Sequence, residues 1–418
     1  MRVRTAFIGL TVVASVLAGT GCAESSNSES TMTDTSAEEI VEAPASDGPP
    51  VDEAEIDEPA AEGSADSVIQ EPETELPLSS MDDCEEWAAL LDGRTCSYDG
   101  TASTSEPLVT EVFAASDVDP SIAAAIKDSL DLATDAWGLY WPVEYWVLGI
   151  DPDAGVALVS EFCERRDSRG DWDYDECMES EAGDERHSLI WYQQMGAKEA
   201  AEGEKYGEAA RLGKADWGIH FFATSLPSGL AGMMGEPGAQ NVKGVLHEYW
   251  HGVQHSFITT LDRDLRRELM GPVWFVEGSA EFMAQYATAQ FIEQGTMPDV
   301  PDGDYAFTFE NQMLNRARHD AEELAGRCAG RTLASVVDYS DECSDMSYGL
   351  GAWGVAYLVS QTSPDVLLTE FHPVVQSLGF EEAFAQAFGK SINEFDAEFM
   401  EFFTTTSESE KLAILPAP

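Results

Sequence analysis

Between residues 23 and 78 the chain carries 17 acidic residues and no lysine or arginine. Most of the remainder of that stretch is Ser, Thr, Ala and Pro. Such a segment cannot bury enough apolar surface to offset the entropy of ordering it, and its like charges push it outward. Residues 23–79 are therefore expected to form a disordered acidic linker, so a core must be built from residues 80 onward. The imbalance persists there. The whole chain has 78 acidic residues against 22 basic ones, a formal net charge of −56. Without the first 78 residues, 61 acidic and 20 basic residues remain. Nothing in such a chain can neutralise a run of phosphates, which excludes nucleic acid as a partner. The acidity reads first as solubility and second as attraction for basic substrates.

The N-terminus has the layout of a targeting segment. Arg2 and Arg4 precede an apolar run at 7–18 that is too short for a typical membrane span. Small residues come next, then Cys22. This layout resembles a bacterial lipoprotein signal, although Leu17 stands five places before the cysteine rather than three. The resemblance implies a signal peptide at 1–22, lipidation of Cys22, and a membrane contact made through that lipid anchor alone. The protein is then exported to a bacterial cell envelope or cell surface, with plain secretion as the alternative. The six other cysteines fit an oxidising compartment. They fall into three local pairs, Cys84 and Cys96, Cys163 and Cys177, Cys328 and Cys343. Local pairing is the simplest of many connectivities, and no C-x-x-C spacing suggests a cysteine metal site.

The globular part is read as α+β, with a mixed N-terminal part at 80–240 and a helical part at 241–403. In the first part, 120–139 has helical apolar spacing, 143–148 (VEYWVL) is strand-like, 156–166 is a further helix, and 217–225 alternates like a strand. Residues 169–185, acidic and carrying Cys177, read as a loop insertion. In the second part, Val242, Val245, Leu246, Tyr249, Trp250, Val253 and Phe257 recur at three- and four-residue steps. Further helices are expected at 272–289, 348–360, 364–377, 380–388 and 392–403. Residues 404–418 read as a frayed C-terminal tail.

Inside the first helix of the second part lies His247-Glu248-Tyr249-Trp250-His251. Residues four apart on a helix are about 40° apart around its axis, so both imidazoles share one face, as a zinc site requires. Glu248, about 100° round from His247, can reach a water without being a ligand, the position of a general base. Two histidines need a third protein ligand and an open position. The segment Trp274-Phe275-Val276-Glu277-Gly278-Ser279-Ala280-Glu281 offers Glu277 as that ligand. Gly278 would let two helices approach closely. Glu281, one turn on, could accept the other ring N–H of a liganding histidine.

HEYWH with WFVEGSAEF downstream resembles the gluzincin metallopeptidases, the group of thermolysin, the aminopeptidase N family and the bacterial collagenases. The resemblance, over about 231–403, implies a thermolysin-like peptidase domain. It implies one catalytic Zn2+ held by His247, His251 and Glu277, with Glu248 as the base. Ser347-Tyr348-Gly349-Leu350-Gly351 is similar to the Tyr-x-x-Gly segment of the aminopeptidase N family, which implies that Tyr348 donates a hydrogen bond to the oxyanion. His319 is the alternative donor. The Gly-x-Met-Glu-Asn segment of the aminopeptidases has no counterpart here, which favours endopeptidase action. A peptide or protein substrate and a monomer are expected. Two rival readings stand beside this one: a non-catalytic surface lipoprotein that uses the fold for binding, and a zinc hydrolase of non-peptide substrates. The acidic runs at 171–175 and 299–304 are candidate structural Ca2+ loops.

Overall fold

Six consecutive residues of VEYWVL are buried, the mark of a strand covered on both faces in the middle of a parallel sheet. The computed structural model has that arrangement. It describes residues 109–140, 142–170, 172–183, 188–202, 220–225, 238–258, 263–297 and 308–418. The signal and linker segments, Cys22, Cys84, Cys96 and the run at 299–304 lie outside these residues. The sheet has the order β1-β2-β3, with β1 at Thr110–Ala114, β2 at Val143–Leu148 and β3 at His220–Ser225. Both pairings are parallel, and Val143 stands opposite Thr110 on one side and His220 on the other.

Parallel neighbours need crossovers, and helices supply them. α1 (Pro120–Trp137) joins β1 to β2. α2 (Pro152–Arg169), α3 (Tyr174–Glu181) and α4 (Leu189–Glu202) lie between β2 and β3. α1 and α2 start in the same way. An aspartate, Asp119 or Asp151, caps a free backbone N–H, and the next residue is a proline, where no N–H is needed. The Cys163–Cys177 disulfide ties α2 to α3, with Cα atoms 5.6 Å apart. Residues 169–185 are thus not a plain loop insertion. Asp173 caps a short acidic helix there that has no broad apolar stripe to announce it. Among the described residues, one charged side chain is buried in the sheet. Glu144 of β2 is buried and accepts two bonds of 2.7 Å from the buried Arg166 and one of 2.6 Å from Arg165. Opposite charges with every carboxylate oxygen engaged make that burial tolerable.

The second part is helical. It comprises α5 (Gly238–Ser256), α6 (Arg263–Met270), α7 (Val273–Gln294), α8 (Phe309–Ala325) and α9 (Met346–Gln361). A π-helical turn at Leu367–Phe371 leads into α10 (His372–Leu378), α11 (Phe380–Phe388), α12 (Ile392–Thr405) and α13 (Glu408–Leu412). α7 is the centre. Every residue from 273 to 285 is buried, so it has core on all sides. It begins after extended Pro272 and ends at Gly295, whose φ of 66° suits a residue without Cβ. α5 and α9 pack on it.

At one crossing, α7 and α9 touch through glycine. A Cβ on Gly278 would fall 2.4 Å from the backbone carbon of Gly351, and one on Gly351 would fall 2.5 Å from the Trp274 carbonyl oxygen. The close approach expected of Gly278 is therefore made with α9. On the other side, Trp137 at the end of α1 meets Trp250 of α5 edge to face at 5.0 Å, and the Tyr249 hydroxyl donates to the Gly138 carbonyl. The mixed and helical parts thus share one hydrophobic core.

The tail is ordered rather than frayed. Ser407 and Glu410 form a capping box at the start of α13. Arg318 of α8 donates two bonds of 2.8 Å to Glu408, and the Tyr286 hydroxyl donates to the Ala417 carbonyl at 3.1 Å. The α+β class holds, with helix predominating. Among the described residues no helix is long and apolar enough to cross a membrane.

Candidate metal centre

Polar side chains on a helix buried all round are the informative ones. α7 carries two carboxylates of this kind, Glu277 and Glu281, and they face α5. His247 and His251 of α5 are 7% and 2% exposed, and Glu277 is 4% exposed. The two Nε2 atoms are 3.2 Å apart. Glu277 Oε2 lies 3.2 Å from His247 Nε2 and 3.4 Å from His251 Nε2. Zinc bonds of about 2.0–2.1 Å in a tetrahedron hold neighbouring ligand atoms about 3.3 Å apart. The triangle has the size that donor set requires.

The surrounding hydrogen bonds fix which ring nitrogens bear protons. Glu281 accepts from Lys243 at 2.8 Å, Arg316 at 2.9 Å and Gln285 at 2.8 Å. Burial raises its pKa, but Lys243, His247 and Arg316 hold it well below the usual range. An ionised carboxylate only accepts, so His247 Nδ1, 3.2 Å away, must be the donor. The Gln254 amide nitrogen donates to the Val276 carbonyl at 2.9 Å and to Ser279 Oγ at 2.8 Å. Its oxygen therefore faces His251 Nδ1 at 2.8 Å, and that nitrogen too must be the donor. In the neutral rings both Nε2 atoms then present lone pairs toward Glu277 Oε2. Three acceptors gathered this closely repel unless positive charge sits among them. The groups around the rings likewise favour positive charge there. Burial works against a charged His247 ring, yet hydrogen bonds with Glu277 and Glu281 and the charge of Glu248 outweigh it and lift its pKa to about 10. Glu277 is depressed in spite of burial by His251 and His247.

The remaining expected residues fall around this triangle. Glu248 is partly exposed, and its charge acts on His247, Tyr339 and Tyr348. Tyr348, in the first turn of α9, lays its ring nearly parallel to His247, with centroids 6.0 Å apart and planes 22° apart. Its hydroxyl makes no hydrogen bond among the described residues. Burial first, then the charges of Glu277, Glu248 and Glu281, raise its pKa, so it stays a protonated donor. The glycine contact of α7 and α9 brings it there, because Tyr348 and Glu277 lie within one turn of Gly351 and Gly278. Glu281 holds the His247 ring, as its spacing on the helix implies. His319 is exposed on α8 and makes no hydrogen bond to this group.

Four further residues join the centre. Gln254 and Lys243 lie three residues after His251 and four before His247, so helix spacing alone could have found them. Arg316 comes from α8, and no local pattern links it to Glu281. Tyr339 comes from an irregular segment and donates its hydroxyl to Glu277 Oε1. Its one sequence signal is its place inside the Cys328–Cys343 loop. Of the calcium candidates, 299–304 and Asp171 lie outside the described residues, and Asp173 Oδ1 is occupied as a helix cap by the Asp175 and Glu176 N–H groups. Among the described residues, His247, His251 and Glu277 form the only cluster of such groups able to hold a metal. No family model matches this chain, and no curated protein and no solved structure matches it either.

Proposed function

We propose that the chain is a zinc-dependent metallopeptidase of gluzincin type, acting as an endopeptidase outside the cytoplasm on a thermolysin-like framework. The observation that carries this reading is the triangle of two tautomer-locked imidazoles and one carboxylate oxygen. Its edges of 3.2–3.4 Å suit tetrahedral zinc, and its donor set leaves a fourth position for substrate or water. The order of elements also supports it. The HExxH helix, the helix with the third carboxylate and the helix with the tyrosine succeed one another as in the family that the motifs resemble.

Zinc, held by His247, His251 and Glu277, would supply a Lewis acid able to polarise a carbonyl and to acidify water near neutral pH. The chain's own residues supply the rest. Glu248, next to a ligand but turned about 100° from it, takes the proton of the attacking water and passes it to the leaving amine. Tyr348, whose hydroxyl makes no hydrogen bond among the described residues, donates its O–H to the negative charge that develops on the carbonyl oxygen. Glu281 and Gln254 keep the two rings oriented. The test is metal removal and return. Protein stripped by a chelator should stop cleaving an unstructured polypeptide and should recover with zinc. Cleavage that survives complete removal of zinc, or a zinc-loaded protein that cleaves no peptide, would count against the proposal.

A further inference from the structure

We propose that Tyr339 is a positioning residue that makes Glu277 a one-oxygen ligand. This rests on the zinc reading above and goes beyond its motif residues. A carboxylate has two oxygens, and a ligand that uses both fills the space that water or substrate needs. Here the two oxygens have different environments. Oε2 faces the histidine nitrogens, while Oε1 accepts the Tyr339 hydroxyl. The phenol cannot be the acceptor in this pair, because the carboxylate has no proton to give. An oxygen already receiving an O–H is a poorer ligand, so the metal is left with Oε2.

The segment that carries Tyr339 is fastened for this task. Residues 328–343 form a loop closed by a disulfide whose two cysteines are buried. Within it Arg331 pairs with Asp341, and Asp338 Oδ1 accepts the Ser340 N–H at 2.8 Å. The Val337 carbonyl accepts the Val273 N–H at 3.2 Å, at the first residue of the helix that bears Glu277. Tyr339 is 59% exposed, so packing of its ring does not account for its placement. What it gives the fold is the single inward hydroxyl.

The experiment compares Tyr339→Phe with the wild type and with Val337→Ala, an exposed neighbour whose side chain carries none of these bonds. Zinc affinity is read by chelator competition, and coordination by the visible spectrum of the cobalt-substituted proteins. Loss of a residue that orients a ligand typically weakens a metal by about 10- to 100-fold, and that loss is expected for Tyr339→Phe. Its cobalt spectrum should shift toward higher coordination, while the Val337→Ala protein stays as wild type. A Tyr339→Phe affinity within about twofold of wild type overturns the inference and leaves the zinc reading intact. Weaker binding with an unchanged cobalt spectrum also overturns it, since that marks a general structural loss. A wild type that binds no zinc defeats the zinc reading and this inference with it.

Discussion

Gly278→Ala changes one hydrogen into a methyl group at the point where α7 and α9 touch. The new Cβ would lie 2.4 Å from the Gly351 carbonyl carbon and 2.6 Å from its Cα. Ordinary contact begins near 3.4 Å, so the helices must part by about 1 Å. The obstacle is backbone, which cannot rotate away as a side chain would. Overpacking of this kind costs about 1–3 kcal/mol, and the better helix propensity of alanine returns about 1 kcal/mol. A net loss of about 0–2 kcal/mol is expected in a denaturant titration. The larger effect falls on catalysis, because the parting moves Tyr348 away from His247 and Glu277. A misplacement of about 1 Å can cost on the order of 100-fold in rate. Zinc affinity should hardly change, since all three proposed ligands come from α5 and α7. The assay is therefore a pair, kcat on a peptide and zinc binding by competition. A variant with wild-type stability and wild-type kcat would refute the argument that this crossing sets the place of Tyr348.

Glu281→Gln should weaken zinc by about 10- to 100-fold in a chelator competition, because the His247 ring loses its ionised acceptor. It also leaves Lys243 and Arg316 without their shared carboxylate. That costs about 3 kcal/mol in a denaturant titration, the low end for a broken buried pair because Arg316 is partly exposed. Asp320 gives a pH signature. Burial, opposed by Arg316 and aided by Glu323, raises its pKa from 3.8 to about 8. A carboxyl raised in the folded state stabilises fully below its unfolded pKa and loses that contribution as pH climbs through the folded value. Asp320→Asn removes the dependence, so its advantage over wild type should grow by about 3–4 kcal/mol from pH 5 to pH 8, measured by denaturation at both. An equal increment at the two pH values would contradict the buried neutral carboxyl.

Local periodicity made the centre legible and tertiary routing hid the rest of it. His247, Glu248 and His251 are fixed by little more than one helical turn, and Glu277 and Glu281 by one turn of another helix, so spacing suffices. Tyr348 is legible only through a resemblance, and the glycines beside it give the physical means of approach. Tyr339 belongs to no periodic element, and only the folding of the disulfide loop onto Val273 brings it to Glu277. Arg316 likewise depends on where α8 lies. Among the elements, VEYWVL announces a strand by its β-branched and aromatic residues, interrupted by Glu144 alone. β1 escapes notice because five half-buried residues neither alternate nor form an apolar run. α3 escapes it because YDECMESE is acidic on most sides. The order of the parallel strands is not legible at all, since pairing across a crossover leaves no local trace. The tail departs from the frayed reading although Ser407 and Glu410 carry the capping-box spacing in plain view.

The central claim is that this centre holds zinc and that Glu248 moves the proton. The most direct measurement is a mass-spectrometric cleavage profile of an unstructured peptide mixture, taken for wild type and Glu248→Gln with zinc content measured on the same samples. The account predicts zinc in both proteins, internal cuts by the wild type, and none by Glu248→Gln. Cleavage of equal extent by the zinc-loaded Glu248→Gln protein, or no cuts by a zinc-loaded wild type, would contradict it.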